Sequence, residues 1–270
     1  MSKPVLWHIP VSHYNEKARW ALAFKGLEHE RRTPPPGPHM AVALWLTRGA
    51  HKTFPVLRLD GRNIGDSSAI IAALEQRYPD PPLYPDNPDE GRRALELEEF
   101  FDEELGPHIR LLAFHELTAD SGGDGMGAIS DEVLPAALRR NAVARAAASA
   151  FGSAFVALRF RVRDEQRAEL ARTKVVAALD RLEAELGDGE HLVGDRFTVA
   201  DLTAASLMYP LVLPAEGPQV LTQMPPGFEQ FVEPLRDRRG YEWVAETFRR
   251  YRKPESSTTA SISTGTSKGS

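Results

Sequence analysis

Cysteine is missing altogether from these 270 residues. That absence removes disulfides, Cys-ligated zinc and a cysteine nucleophile in one step, so any sulfur chemistry must arrive with a ligand. A basic block is missing too. Lys and Arg number 33 against 38 Asp and Glu, for a formal net charge of -5, without the electrostatic footprint of a nucleic-acid binder. No Lys/Arg cluster flanks an apolar stretch, which argues against electrostatic attachment to a membrane. Nowhere do about 18 consecutive apolar residues occur, so no membrane-spanning helix is expected. The N-terminal run Val5–Ile9 is short and interrupted by His8, unlike the core of a secretion signal. The expectation is a cytoplasmic protein with neither nucleic-acid nor membrane partners. Several catalytic signatures are absent as well: the G-x-S-x-G elbow, the Walker loop, the G-x-G-x-x-G fingerprint and His-Glu-x-x-His. Glu104, His108 and His115 fall along one presumed helix, but Pro107 disrupts that turn, and no metal is expected.

What is present divides the chain. Over the first eighty residues strand and helix signals alternate in the order β-α-β-α-β-β-α: a buried strand at Val5–Ile9, a helix after Ser12 stopped by Gly26, and a strand near His29–Thr33. A short helix near Met40–Arg48 follows, then two strands around Asp60-Gly61, a dipeptide that favours a tight hairpin turn. Asp66-Ser67-Ser68 opens a further helix with Ile70, Ile71 and Leu74 on its apolar side. Residues 79–88 hold five prolines and read as a linker. Beyond it the pattern is helical, with candidates at Asp89–Leu117, Asp131–Phe160, Glu165–Leu186, Val199–Tyr209 and Tyr241–Arg252; the Gly/Asp-rich 119–127 stretch reads as a loop. From Pro254 the chain is Ser/Thr/Gly without apolar periodicity and is expected to be disordered.

Four short segments stand out. Ser12-His13-Tyr14-Asn15-Glu16-Lys17-Ala18-Arg19 follows the first strand; Ser12 suits a helix cap as well as a reactive position. Phe54-Pro55-Val56 precedes the hairpin, where proline is also tolerated simply as a strand's first residue. Gly65-Asp66-Ser67-Ser68 opens a helix whose N–H groups form a natural anion site, or are plainly capped. Thr198-Val199-Ala200-Asp201 has the form of a capping box, with Phe197 and Leu202 as a hydrophobic staple, so Asp201 reads as structural.

In their order and spacing these segments resemble the glutathione transferase superfamily over residues 4–251. The resemblance implies an α/β plus all-α fold: a thioredoxin-like βαβ-α-ββα glutathione-binding domain at 1–79, a linker at 80–88, and a helical bundle at 89–253. An insertion is expected near 116–163, as a lid or side wall of the second-substrate pocket or a solvent-exposed elaboration, and the disordered tail at 254–270. It places Ser12 at the active position of serine-type, bacterial-like members and makes Pro55 cis, with Phe54, Pro55 and Val56 against the peptide. Asp66 and Ser67 would receive the γ-glutamyl end, and His51, Lys52 or His39 the glycyl carboxylate. Tyr14, Phe101 and Phe114 would face the second substrate. Tyr14 sits two residues past the position used by tyrosine-type members, and the missing cysteine argues against thiol exchange.

The chemistry implied is activation of glutathione, as co-substrate and without a metal, for attack on a small hydrophobic electrophile, a detoxification-type reaction. A thiol with a pKa near 8.5 is only about 3% thiolate at neutral pH, and lowering it by about two units takes roughly 2.7 kcal/mol. A hydroxyl donating to a charged acceptor contributes about 1.5–3 kcal/mol and a helix N-terminus about 0.3–1, which together suffice. Conjugation, dehalogenation, ether cleavage and isomerisation are all open to such a thiolate. A homodimer is the family expectation; a non-catalytic ligand carrier or scaffold of the same fold is the alternative.

Overall fold

The computed structural model describes residues 3–34, 39–119, 129, 140–220 and 223–253, together with the backbone of 257–259. The first half runs β1 (Val5–Trp7), α1 (His13–Phe24), β2 (His29–Arg32), α2 (His39–Leu46), β3 (Val56–Leu59), β4 (Arg62–Gly65) and α3 (Ser67–Arg77), the order read from the sequence. β1 pairs parallel with β2 and antiparallel with β3, placing Leu6 opposite both Arg31 and Leu57. The β3–β4 hairpin turns at Asp60 (φ 47°) and Gly61 (φ 80°); two successive positive φ angles are what a type I′ turn requires and what Asp-Gly tolerates.

The second half comprises α4 (Pro88–Phe100), α5 (Gly106–Ala119), α6 (Ala142–Phe160), α7 (Glu165–Leu186), α8 (Val199–Val212), α9 (Pro226–Val232) and α10 (Arg239–Tyr251). A π-helical turn, Phe101–Leu105, joins α4 to α5, so the expected single helix over 89–117 is instead two helices and a wide turn. Of the helix expected at Asp131–Phe160, the described part starts at Ala142, with the Asn141 side chain accepting from the Ala144 N–H at 3.0 Å; residues 130–139 lie outside the described residues. α6 holds no unbroken apolar run, carrying Arg145 and Arg159, but by length and composition alone it could cross a bilayer, and little of it is buried in the fold. A further correction concerns the tail: residues 257–259 form a short strand, β5, parallel to β2. The N–H and C=O groups of the open β2 edge need partners whatever the side chains. The sheet order is thus β4-β3-β1-β2-β5.

The two halves share one core. Trp20 of α1 is fully buried with its ring 4.3 Å from that of Phe248, and its indole N–H donates to the Tyr251 carbonyl at 3.2 Å. Leu83, in the middle of the linker, is also fully buried; its carbonyl accepts from the Val199 N–H at 2.8 Å and its N–H donates to Glu75 at 3.1 Å. Thr198 and Asp201 make the capping box of α8, Asp201 accepting from the Thr198 N–H at 2.8 Å and also from the Leu192 N–H at 2.8 Å. That occupies both carboxylate oxygens, and Asp201 is structural.

Candidate active site

A cleft of about 670 Å³ opens between the sheet domain and the helical domain, walled by the β1–α1 loop, Thr53–Pro55, the start of α3, α5 and α6. Ser12 lies on this wall at the N-cap position of α1, yet its side chain makes no capping bond. Its Oγ instead accepts from the Asn15 side-chain amide at 2.7 Å. Asn15 is fully buried and its orientation is determined: Oδ1 accepts from the Ile9 N–H at 3.0 Å, so Nδ2 must face Ser12 and the Phe54 carbonyl, the latter at 3.1 Å. With a lone pair of the hydroxyl engaged this way, its proton remains to be donated into the cleft. The loop is also held from the far side, where the Tyr209 hydroxyl of α8 donates to the Val11 carbonyl at 2.6 Å.

The Phe54–Pro55 peptide bond is cis, and Thr53, Phe54 and Pro55 line the cleft. At the start of α3, Asp66 adopts φ 75° and its carboxylate accepts from the Ser68 and Ala69 N–H groups at 3.0 and 3.1 Å. Under that helix start lies a charge cluster. Lys17, wholly buried, reaches Asp102 at 2.6 Å, Glu98 at 2.9 Å and the Ser68 hydroxyl at 2.7 Å. One cation thus faces two carboxylates, and the second oxygen of Asp102, Oδ1, is buried with no hydrogen-bond partner. The excess negative charge and open acceptor suit a cation such as an ammonium group.

Tyr14 lines the cleft with its hydroxyl donating to the Asp102 carbonyl at 2.6 Å; burial pushes this phenol well above its usual range, so it remains a neutral donor. Its position depends on Gly106, where a Cβ would stand 2.1 Å from the Tyr14 hydroxyl oxygen. Burial, followed by the neighbouring Arg110 charge, depresses His13 to about 3, and this neutral imidazole meets the Gly106 carbonyl through Nε2 at 3.0 Å. Much of the rest of the wall is aromatic: Phe114 stacks on Phe160 with centroids 5.5 Å apart, and His39 of α2 meets Phe155 of α6 edge-on at 5.2 Å.

Compared with known proteins, residues 6–82 match the glutathione S-transferase N-terminal domain and residues 142–245 the glutathione S-transferase C-terminal domain. The chain belongs to the glutathione transferase superfamily. Both halves of a glutathione transferase-type enzyme are therefore present in one chain. It is 34% identical over 96 residues to a maleylacetoacetate isomerase of Rattus norvegicus, an overlap spanning 34% of this chain and 44% of the rat protein. A probable maleylacetoacetate isomerase of Caenorhabditis elegans is 26% identical over 209 residues, 77% of this chain and 78% of that one. Among solved structures, a Methylobacterium radiotolerans glutathione S-transferase in complex with glutathione sulfonate has the same fold, with a TM-score of 0.53 at 23% identity over 90% of this chain and 95% of the other.

In this transferase the cleft brings together Ser12, Phe54, Pro55, Asp66, Ser67, Tyr14 and Phe114 of the residues selected from sequence. It does not bring in four others. The side chain of Val56 is buried in a small core with Ala43, Leu46 and Phe54, so any contact it makes with a peptide is through its backbone. Phe101 is also fully buried, inside the main core. Lys52 is exposed away from the cleft. His51 packs its ring against Gly65, where a Cβ would fall 2.6 Å from it. Among the histidine and lysine candidates for the glycyl end, His39 is the one on the wall. The part of the insertion that is described places α6 along one side of the cleft; residues 120–128, expected as a Gly-rich loop, lie outside the described residues. No group of three or more potential metal ligands occurs among the described residues. Asn15, Asp102 and Arg110 were missed by sequence reasoning. Asn15 stood inside a segment already under scrutiny, and a buried amide three residues past a loop serine was the available signal; Asp102 and Arg110 offered none.

Proposed function

We propose that this transferase binds glutathione with its sulfur against Ser12 and holds it as thiolate for attack on a small hydrophobic electrophile in the aromatic part of the cleft. The observation that carries this reading is the Asn15–Ser12 hydrogen bond, which takes the serine away from capping its own helix and leaves its proton to donate. A hydroxyl donated to a thiolate supplies about 1.5–3 kcal/mol, and the start of α1 adds about 0.3–1. Asp66, Ser67 and the open Oδ1 of Asp102 would receive the γ-glutamyl end, the carboxylates pairing with its ammonium and the α3 N-terminus with its carboxylate. The pocket past Tyr14, walled by Phe114, Phe155 and Phe160, would take the apolar body of the electrophile. Isomerisation, the activity in the names of two relatives, is one of the reactions such a thiolate can carry out. The test is a titration of the thiol of bound glutathione. Wild type should show a pKa well below that of free glutathione, and Ser12→Ala should restore most of the difference. Tight binding with an unshifted thiol would instead identify a carrier or scaffold.

A further inference from the structure

Arg110, on α5, introduces a positive charge into the apolar end of the cleft. Its guanidinium lies between two rings, 5.6 Å from the centroid of Tyr14 and 4.9 Å from that of Phe160. Its Nε is buried without a hydrogen-bond partner, and among the described residues no carboxylate bears on it; the charged group felt besides the Tyr14 phenol is a second guanidinium, Arg159. Arg159 in turn lies 5.3 Å from the centroid of the same Phe160 ring. Two cations therefore lie near one phenyl group.

Among the described residues this guanidinium has no counter-ion. Arginine remains charged in proteins, and removing an ion from water without a counter-ion is costly by several kcal/mol. The aromatic rings return about 0.5–2 kcal/mol each through cation–π attraction, but a ring does not replace the directed acceptors that the N–H groups of the guanidinium lose with water. Its N–H donors point outward in the plane, and a planar, bidentate acceptor is what those donors fit. The opposite end of the cleft is acidic, with Asp66, Asp102 and Glu103 on its wall. A ligand spanning the cleft thus meets negative charge at the α3 end and positive charge at the α5–α6 end.

Resting on the glutathione reading above, we propose that the electrophile of this transferase carries a carboxylate, which Arg110 binds in its plane while the aromatic wall packs the rest of the molecule. A carboxylate fits better than a dianionic group because only Arg110 has a donor withdrawn from water, whereas Arg159 is exposed.

The test uses the full chain and two glutathione conjugates differing in one group, S-benzylglutathione and S-(4-carboxybenzyl)glutathione, titrated calorimetrically. A hydrogen bond to a charged group contributes about 1.5–3 kcal/mol, so wild type should bind the carboxylated conjugate about 10 to 100 times more tightly. Arg110→Met, which keeps the apolar stem, should erase that preference and leave S-benzylglutathione within about twofold of wild type. Arg110→Lys should retain part of it. A wild type without preference, which is informative whether or not a variant folds, overturns the carboxylate assignment. So does an Arg110→Met protein that loses both conjugates equally. Either result leaves the glutathione reading intact. Failure of glutathione and both conjugates to bind wild type overturns that reading and this one together.

Discussion

Asn15→Ala should raise the pKa of the bound glutathione thiol by about one unit. The substitution removes the amide that donates to the Ser12 oxygen at 2.7 Å, and the serine can then turn to the uncapped start of α1. If the oriented hydroxyl contributes about 1.5–3 kcal/mol to the thiolate, forfeiting half of it costs about 1 kcal/mol, close to one pKa unit. Losing all of it in Ser12→Ala gives about one to two units. Asn15→Asp sharpens the comparison. A carboxylate can still accept from Ile9 but cannot donate to Ser12, so the hydroxyl would donate to residue 15 and turn away from sulfur. The thiol pKa should then rise at least as far as in Ser12→Ala. Asn15→Ala also leaves the Ile9 N–H and the Phe54 carbonyl without their partners, at about 1–3 kcal/mol each. The assay is ultraviolet absorbance of the thiolate across a pH series at saturating glutathione, with chemical denaturation on the same variants. A bound thiol pKa unchanged in both Asn15 variants but raised in Ser12→Ala would refute the orienting role and leave Asn15 as a brace for the loop.

Asp66→Asn keeps a side chain that caps α3 and tolerates positive φ, so its Tm should stay within about 2 °C. Its glutathione Kd should weaken about tenfold through loss of the ammonium's counter-charge. Lys17→Met leaves Glu98 and Asp102 facing each other without their cation and should cost about 3–5 kcal/mol, read as a fall of roughly 10 °C in Tm. His13 governs an acid-side loss of stability. It is held at about 3 by burial and then by Arg110, whereas the unfolded chain takes up the proton near 6.5. The folded chain therefore keeps its full stability above pH 6.5 and loses about 1.4 kcal/mol for each unit below that, down to the folded pKa. Urea midpoints at pH 7 and pH 5 should converge in His13→Gln relative to wild type; an unchanged pH slope would show that the imidazole does not carry the effect.

The parts of this protein that were legible in its sequence are those encoded within a few residues. Asp60-Gly61 specified its own turn through two positive φ angles, and Thr198 with Asp201 specified a cap three residues long. Ser12, Pro55 and Asp66 could be selected because each begins or ends an element. Misplacements came where local reasoning ran past the chain's geometry. Phe101 was grouped with Phe114 on one long helix, but thirteen residues put the two about 220° apart around a helix, and only Phe114 reaches the cleft. Lys52, His51 and His39 were chosen as basic candidates for the glycyl carboxylate, and of these only His39 lines the cleft. Asp102 and Arg110 reach the site by packing of residues some ninety positions from Ser12. No periodicity announces such contacts.

The hydroxyl of Tyr209 on the Val11 carbonyl ties the two halves of the molecule in a way that bears on how such enzymes can be diversified. A helix of the C-terminal half sets the height of the backbone one residue before Ser12, the serine proposed to hold the sulfur. Chimeras that graft a foreign helical bundle onto this sheet would exchange more than substrate preference. Unless the graft supplies an equivalent phenol at that spot, the retained sheet half would be left with a misplaced serine, and thiol acidity would change along with selectivity.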